Sequence, residues 1–221
     1  MPASALSVDR ASLEHATASA HQRFVRLVAG LSETDAAQVT TGCPGWTAAD
    51  VAAHVITLFR RGLGDERRSE SPEATAALNA LCLTEVTERD PQTVAARIDT
   101  DGSAVLGNLR LIPDDMVFPF HAGATSTVVS GTAVILGELV IHGQDIARAT
   151  GRDWPVDPAD ATLILSGARP LLEHWLDAEG RQMLLGVLAC HHPVDVVESI
   201  YRRDPPASPA LATLVGHLAP F

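Results

Sequence analysis

The chain has 221 residues and a mass of 23.3 kDa, with 46% hydrophobic residues, 19% charged residues and a formal net charge of −11. That is long enough to bury a core without staples, and too apolar for a disordered or fibrous chain. All 16 basic residues are arginine and the sequence pI is about 5.1, so neither a nucleic acid nor an anionic membrane surface is an expected partner.

Cys43, Cys82 and Cys190 are odd in number, far apart and form no CxxC motif. They suit a reducing compartment better than a disulfide framework or a zinc ribbon. Met1 to Arg10 lacks a basic start followed by an apolar run. A cytoplasmic location is the expectation.

In chain order, Val8 to Leu31 reads as a first helix, with Phe24, Leu27, Val28 and Leu31 at helical spacing. Ser32 and Asp35 have capping-box spacing. Thr40 to Trp46 is a loop, and Thr47 with Asp50 caps a second helix carrying Val51, Val55, Leu58 and Phe59. Arg60, Arg61, Arg67 and Arg68 gather at its C-terminal end, where the helix dipole favours cations. Pro72 to Glu88 predicts another helix. Asp90-Pro91 starts one that runs to about Leu111. Pro113 to Asp115 and Pro119 to Gly123 read as loop. A long apolar helix follows from Thr127 or Thr132 to Thr150, with Gly151 as its C-cap. Four principal helices are expected in the first 150 residues. Beyond Trp154, Asp157-Pro158 opens a helix through Trp175, kinked at Pro170. Met183 to Ala189 suits either strand or helix. Asp204 to Pro209 reads as a linker before a last short helix ending near His217.

The segment Gly137 to Asp145 carries the chemistry. At about 100° per residue, Glu138, His142 and Asp145 fall about 40°, 80° and 20° from Val134, on one face. Leu136, Leu139 and Val140 occupy the opposite side, so the helix is buried nearly all round. A buried carboxylate needs a cation. Glu138 and His142, one turn apart, can converge on a divalent metal, and His54 on the second helix is the best third ligand. Two histidines, a glutamate and an open position form the pattern of catalytic zinc. Asp145 would then orient His142. The competing reading is a salt bridge from Glu138 to an arginine such as Arg148.

Two motifs carry a family resemblance. Cys43-Pro-Gly-Trp46-Thr-Ala-Ala-Asp-Val-Ala-Ala-His54 and Glu138-Leu-Val-Ile-His142-Gly-Gln-Asp145-Ile-Ala resemble those of the mycothiol-dependent maleylpyruvate isomerases. These belong to the DinB/YfiT-like metal-binding four-helix bundles. The resemblance covers roughly residues 8 to 151. It implies metal ligation, usually zinc, by His54, Glu138 and His142, and it implies mycothiol as the thiol. The resembled isomerases also carry a C-terminal α+β domain, whose strand pattern is not matched from Asp153 to Phe221.

The remaining candidates rank lower. His121, in a loop before the metal helix, is the candidate substrate-contacting or acid/base residue. Trp46 is a pocket residue, and Cys43 sits in a loop that shapes the pocket. His191 and His192 are expected at the surface, as are His15 and His21. No phosphate loop, dinucleotide fingerprint or Ser-His-Asp arrangement is present.

The sequence therefore predicts a mainly α protein. A DinB-like four-helix bundle spans 1–151, and a small α or α+β extension spans 152–221. The expected chemistry is a zinc-dependent mycothiol S-transferase or isomerase acting on a small electrophile. The alternatives are a metal–water hydrolase and a non-catalytic metal- or ligand-binding bundle. The oligomeric state is open, a homodimer included.

Overall fold

The computed structural model describes residues 8–201 and 206–218. Ten helices and one two-stranded hairpin make up the described chain. The helices are α1 (Arg10–Ala29), α2 (Glu33–Ala36), α3 (Ala48–Gly62), α4 (Pro72–Thr84), α5 (Pro91–Leu109), α6 (Val128–Thr150), α7 (Pro158–Trp175), α8 (Ala178–Cys190), α9 (Pro193–Ile200) and α10 (Pro209–His217). Strands β1 (Val117–Pro119) and β2 (Thr125–Thr127) pair antiparallel. The protein is mainly α, as its periodicity predicts.

The helix starts follow local chemistry. Asp9, Ser32, Thr47, Ser71, Asp90 and Asp157 each cap an N-terminus with a side-chain oxygen. Both expected capping boxes form, Ser32 with Asp35 and Thr47 with Asp50. Gly151 ends α6 in the left-handed region at φ 66°, where a glycine costs least.

Helices α1, α6, α3 and α5 close a four-membered ring in which each packs on two others. Helix α4 stands outside this ring, against α3 and the turn at His121–Gly123. Arg68, just past the end of α3, reaches the Pro119 carbonyl, just ahead of α6. The C-terminal end of α3 therefore lies beside the N-terminal end of α6, and the two helices run antiparallel. The core between them holds Phe24, Phe59, Ile98, Leu136, Leu139 and Ile141, all essentially inaccessible.

Three sequence expectations need correction. The stretch Pro119 to Gly123, expected as loop, lies within a hairpin of β1 and β2; its strands are three residues each, too short for an alternating pattern to register. His21 is buried, not at the surface. It continues the α1 stripe of Leu13, Thr17 and Phe24, and its Nε2 pairs with the Ile98 carbonyl at 3.1 Å. Gly102 permits that approach, because a Cβ there would overlap the imidazole. His191 is half-buried, its Nε2 2.7 Å from Ser208 Oγ.

The ambiguous run Met183 to Ala189 lies within α8. Pro170 lies inside α7, which continues past it to Trp175. From 152 onward the described residues hold helices and no strand, so this part is α and not α+β. Part of the linker expected at Asp204 to Pro209 lies outside the described residues, as does most of Met1 to Arg10. Helix α7 packs along α6 and α9 packs on α7. Gln144 on α6 donates to Glu198 on α9 at 2.5 Å, and Arg148 reaches the same carboxylate at 3.4 Å. Among the described residues no helix is long and apolar enough to cross a membrane.

Candidate metal centre and its cavity

Thr47 and Asp50 fix where α3 starts, and that register sets the position of His54 two turns in. The backbone of α6 sets Glu138 and His142 one turn apart on its inner face. Trp154 locks this part of α6 by donating from Nε1 to the Val140 carbonyl at 2.9 Å. Gly143 leaves room for the indole, which a Cβ would overlap. Arg23 lies over the Trp154 ring, 4.1 Å from its centroid, and Phe24 meets the ring edge-on.

Three ligand atoms meet between α3 and α6. Glu138 Oε2 is 3.0 Å from His142 Nε2 and 3.7 Å from His54 Nε2. One ligand atom from each residue lies within 4.8 Å of those of the other two. Metal bonds of 2.0–2.1 Å at tetrahedral angles imply ligand separations of about 3.3 Å. The two distances bracket that value, so the cluster has the spacing of a small dication's ligand shell. Among the described residues no guanidinium takes Glu138: Arg148 is turned to Glu198.

The outer ring nitrogens are also occupied. His142 Nδ1 is 3.0 Å from Asp145 Oδ2, which is 3% exposed by side chain. Thr57 Oγ1 donates to the His54 carbonyl at 2.7 Å and lies 3.4 Å from His54 Nδ1, so it can accept the ring proton there. Each imidazole then presents Nε2 to the carboxylate. Burial works to raise Glu138, but His142 and His54 outweigh it and hold the carboxyl well below its usual range. Burial works against charge on His142, but Asp145, Cys43 and Glu138 outweigh it and hold the ring well above its usual value. Burial pulls His54 below its usual value. The cluster is therefore built to surround positive charge, supplied by a proton or by a metal ion.

Cys43 Sγ is 3.5 Å from Asp145 Oδ2 and 3.9 Å from His142 Nδ1. Cys43, His142 and Asp145 form a second group with metal-ligand spacing, using the opposite nitrogen of the same ring. Trp46 packs on His54 with ring centroids 5.2 Å apart.

The cluster opens into a cavity of about 880 Å³, within the range of small-molecule sites. Its lining includes Cys43, Trp46, His54, Glu138 and His142. His121 lines it as well. The Ser69 backbone N–H donates to His121 Nδ1 at 2.9 Å, and Ser69 Oγ lies 3.0 Å from the same atom. Nδ1 is thereby an acceptor, and Nε2 carries the proton of the neutral ring. Burial, then the charges of Arg61 and Arg68, pull His121 down to about 4.

Residues 17–147 match the mycothiol maleylpyruvate isomerase N-terminal domain. This chain belongs to that family. No curated protein and no solved structure matches it. The matched stretch takes in α3 and nearly all of α6, hence every residue of the His54–Glu138–His142 cluster. The family's characteristic segment ends before α7.

Sequence reasoning missed the rest of the cavity wall. Arg61, Arg68 and Asn79 line it, together with Leu165, Leu172 and Tyr201 from beyond the family match. The signal for Arg61 was present: it follows His54 by seven residues and so shares its helix face. The C-terminal residues gave no such signal, because only tertiary packing brings α7 and α9 to the site.

Proposed function

We propose that this member of the mycothiol maleylpyruvate isomerase family is a zinc-dependent enzyme that adds a thiol, with mycothiol the expected one, to a small electrophile. It would act as an S-transferase or as an isomerase. The observation that carries the reading is the convergence of His54 Nε2, Glu138 Oε2 and His142 Nε2 at the wall of a large cavity.

His54, Glu138 and His142 would hold the ion. Bound there with a position open, a zinc ion would supply a deprotonated thiol at neutral pH. Every other contribution comes from the chain. Asp145 holds the Nδ1 proton of His142, leaving Nε2 free to ligate. That role also favours this set over the Cys43–His142–Asp145 group, which would need the same proton removed. Trp46 covers His54 and limits water at the thiol. The apolar walls exclude bulk solvent and strengthen each charge interaction within. His121, with Nδ1 committed to Ser69, serves as a hydrogen-bond donor from Nε2 and not as a base. In the transferase version the thiol adduct is the product. In the isomerase version the thiol leaves after rotation about the former double bond.

The test combines elemental analysis with turnover. Wild-type protein is expected to carry one zinc, while His54→Ala and Glu138→Ala lose it and lose mycothiol-dependent turnover of an electrophile panel. Equal metal in all three proteins refutes the ligand set. Metal-dependent turnover without thiol points instead to hydrolysis.

A further inference from the structure

The cavity has a second chemical pole. Arg61 follows His54 by seven residues on α3, on the same face and about 10 Å along the axis. On antiparallel α6, Gly131 precedes Glu138 by the same seven residues, and both line the cavity. At the level of Arg61 and Gly131 the lining turns cationic: Arg61 and Arg68 stand there with Asn79 and His121.

Arg61 Nη2 donates to Asn79 Oδ1 at 2.8 Å, while its buried Nε has no hydrogen-bond partner among the described residues. Arg68 Nη1 donates to the carbonyls of Asp65 and Arg67, both at 2.8 Å. Neither guanidinium has a carboxylate within 4.0 Å among the described residues. Asp65, whose charge both feel through space, is engaged by Arg67 at 2.5 Å, and Glu66 acts on Arg68 only through space. Burial, then the charge of Arg61, pulls Arg68 below its usual value. Two half-buried cations line a largely apolar cavity with no carboxylate close by among the described residues, and an anion entering the cavity would gain from both. His121 adds a neutral donor, oriented by Ser69. The apolar lining of the same cavity includes Leu58, Val105, Val134, Leu165 and Leu172.

We propose that Arg61, Arg68 and the Nε2–H of His121 bind a carboxylate, and that the electrophilic substrate is an amphiphilic acid. Its carboxylate sits at this pole and its apolar body lies along the cavity. Its reactive carbon reaches the His54–Glu138–His142 end, about two helical turns away. A guanidinium fork matches a carboxylate in geometry as well as charge. A short, doubly charged acid would leave the apolar walls uncovered and bring a second charge to be desolvated. The assignment rests on reading the other pole as the thiol-activating site.

The test is calorimetric binding of octanoate, octanol and acetate to wild type, Arg61→Gln, Arg68→Gln and His54→Ala, with zinc measured in each. Octanoate is expected to bind wild type more tightly than octanol or acetate. Each arginine variant is expected to weaken octanoate about tenfold or more, the scale of a lost charged hydrogen bond, without changing octanol binding or zinc content. His54→Ala is expected to keep octanoate binding. Octanoate affinity unchanged in both arginine variants overturns the proposal, as does no octanoate binding to wild type. Loss confined to His54→Ala also overturns it, because the carboxylate then sits at the metal end. Should Arg61→Gln melt early, Arg68→Gln carries the test, since its Nη1 bonds go to backbone carbonyls of its own segment. A wild type without zinc whose octanoate binding follows the arginines would sink the thiol-activating reading and leave the carboxylate pole standing.

Discussion

Replacing Asp145 with asparagine separates a metal site from a buried polar cluster. Asp145 Oδ2 lies 3.0 Å from His142 Nδ1, with 3% of the side chain exposed, so this carboxylate has little solvent to compete with it. As an ionised acceptor it fixes the ring's tautomer and raises the basicity of Nε2. Outer partners of this kind are worth about 10–100-fold in metal affinity, or about 1.4–2.7 kcal/mol. Asparagine preserves the volume and can still accept the Nδ1 proton, so Asp145→Asn is expected near the lower figure. Asp145→Ala leaves Nδ1 with the Cys43 thiol at 3.9 Å as its neighbour and belongs near the upper one. The assay is zinc titration in competition with a chromophoric chelator at fixed pH, with thermal melts to show that each variant folds. Two results refute the reasoning. Both variants could bind zinc as tightly as wild type, in which case Asp145 does not act through His142. Alternatively, Asp145→Ala could abolish binding in a folded protein while Glu138→Ala retains it, in which case the ion sits on the Cys43 side of the ring.

Other outcomes follow from the same structure. Gly143→Ala puts a methyl group into the boxed indole of Trp154 and is expected to cost about 1–3 kcal/mol, read as a lower melting temperature; an unchanged melt would show that the indole yields freely. Thr47→Ala removes the cap of α3 and is expected to cost about 1 kcal/mol by denaturant titration, whereas Thr47→Ser should restore most of it. His121 takes its proton near 4 in the folded chain against an ordinary 6.5. The unfolded chain therefore binds that proton first, and this group's share of stability is lost as pH falls from about 6.5 to about 4. Nitrogen chemical shifts of His121 should report the neutral Nε2–H tautomer at pH 6, and a midpoint near 6.5 would contradict the burial argument. Chelation of zinc is expected to leave the helical circular-dichroism signal intact, because the buried core of Phe24, Phe59, Ile98 and Leu136 includes none of the proposed ligands. Cooperative unfolding on chelation would instead assign the ion a structural role.

The helices that position the site were legible because their signals are local. Thr47 and Asp50 announce the start of α3 three residues apart, and Gly151 announces the end of α6. The common face of Glu138, His142 and Asp145 needs only the helical repeat. His21 shows a local signal overridden by residue type: its place in the Leu13–Thr17–Phe24 stripe marks it as buried, while histidine suggests the surface. The hairpin at 117–127 had no signal of that kind, since three-residue strands hold too few alternations and Pro119 argues against pairing.

The cavity was the least legible part, and the reason is geometric. Its walls come from α3, α4, α5, α6, α7, α9 and the hairpin, seven elements whose spacing along the chain says nothing about their meeting. The metal-ligand cluster lies wholly within the residues that match the family, whereas Leu165, Leu172 and Tyr201 stand outside them. Leu165 and Leu172 line the space a substrate body would fill and are not among the proposed ligands. Exchanging them can therefore reshape the apolar wall without disturbing His54, Glu138 or His142. It follows that Leu172→Ala should alter which electrophiles are accepted while zinc content stays constant. A loss of zinc in that folded variant would mean that α7 also supports the ligand geometry through α6, against which it packs.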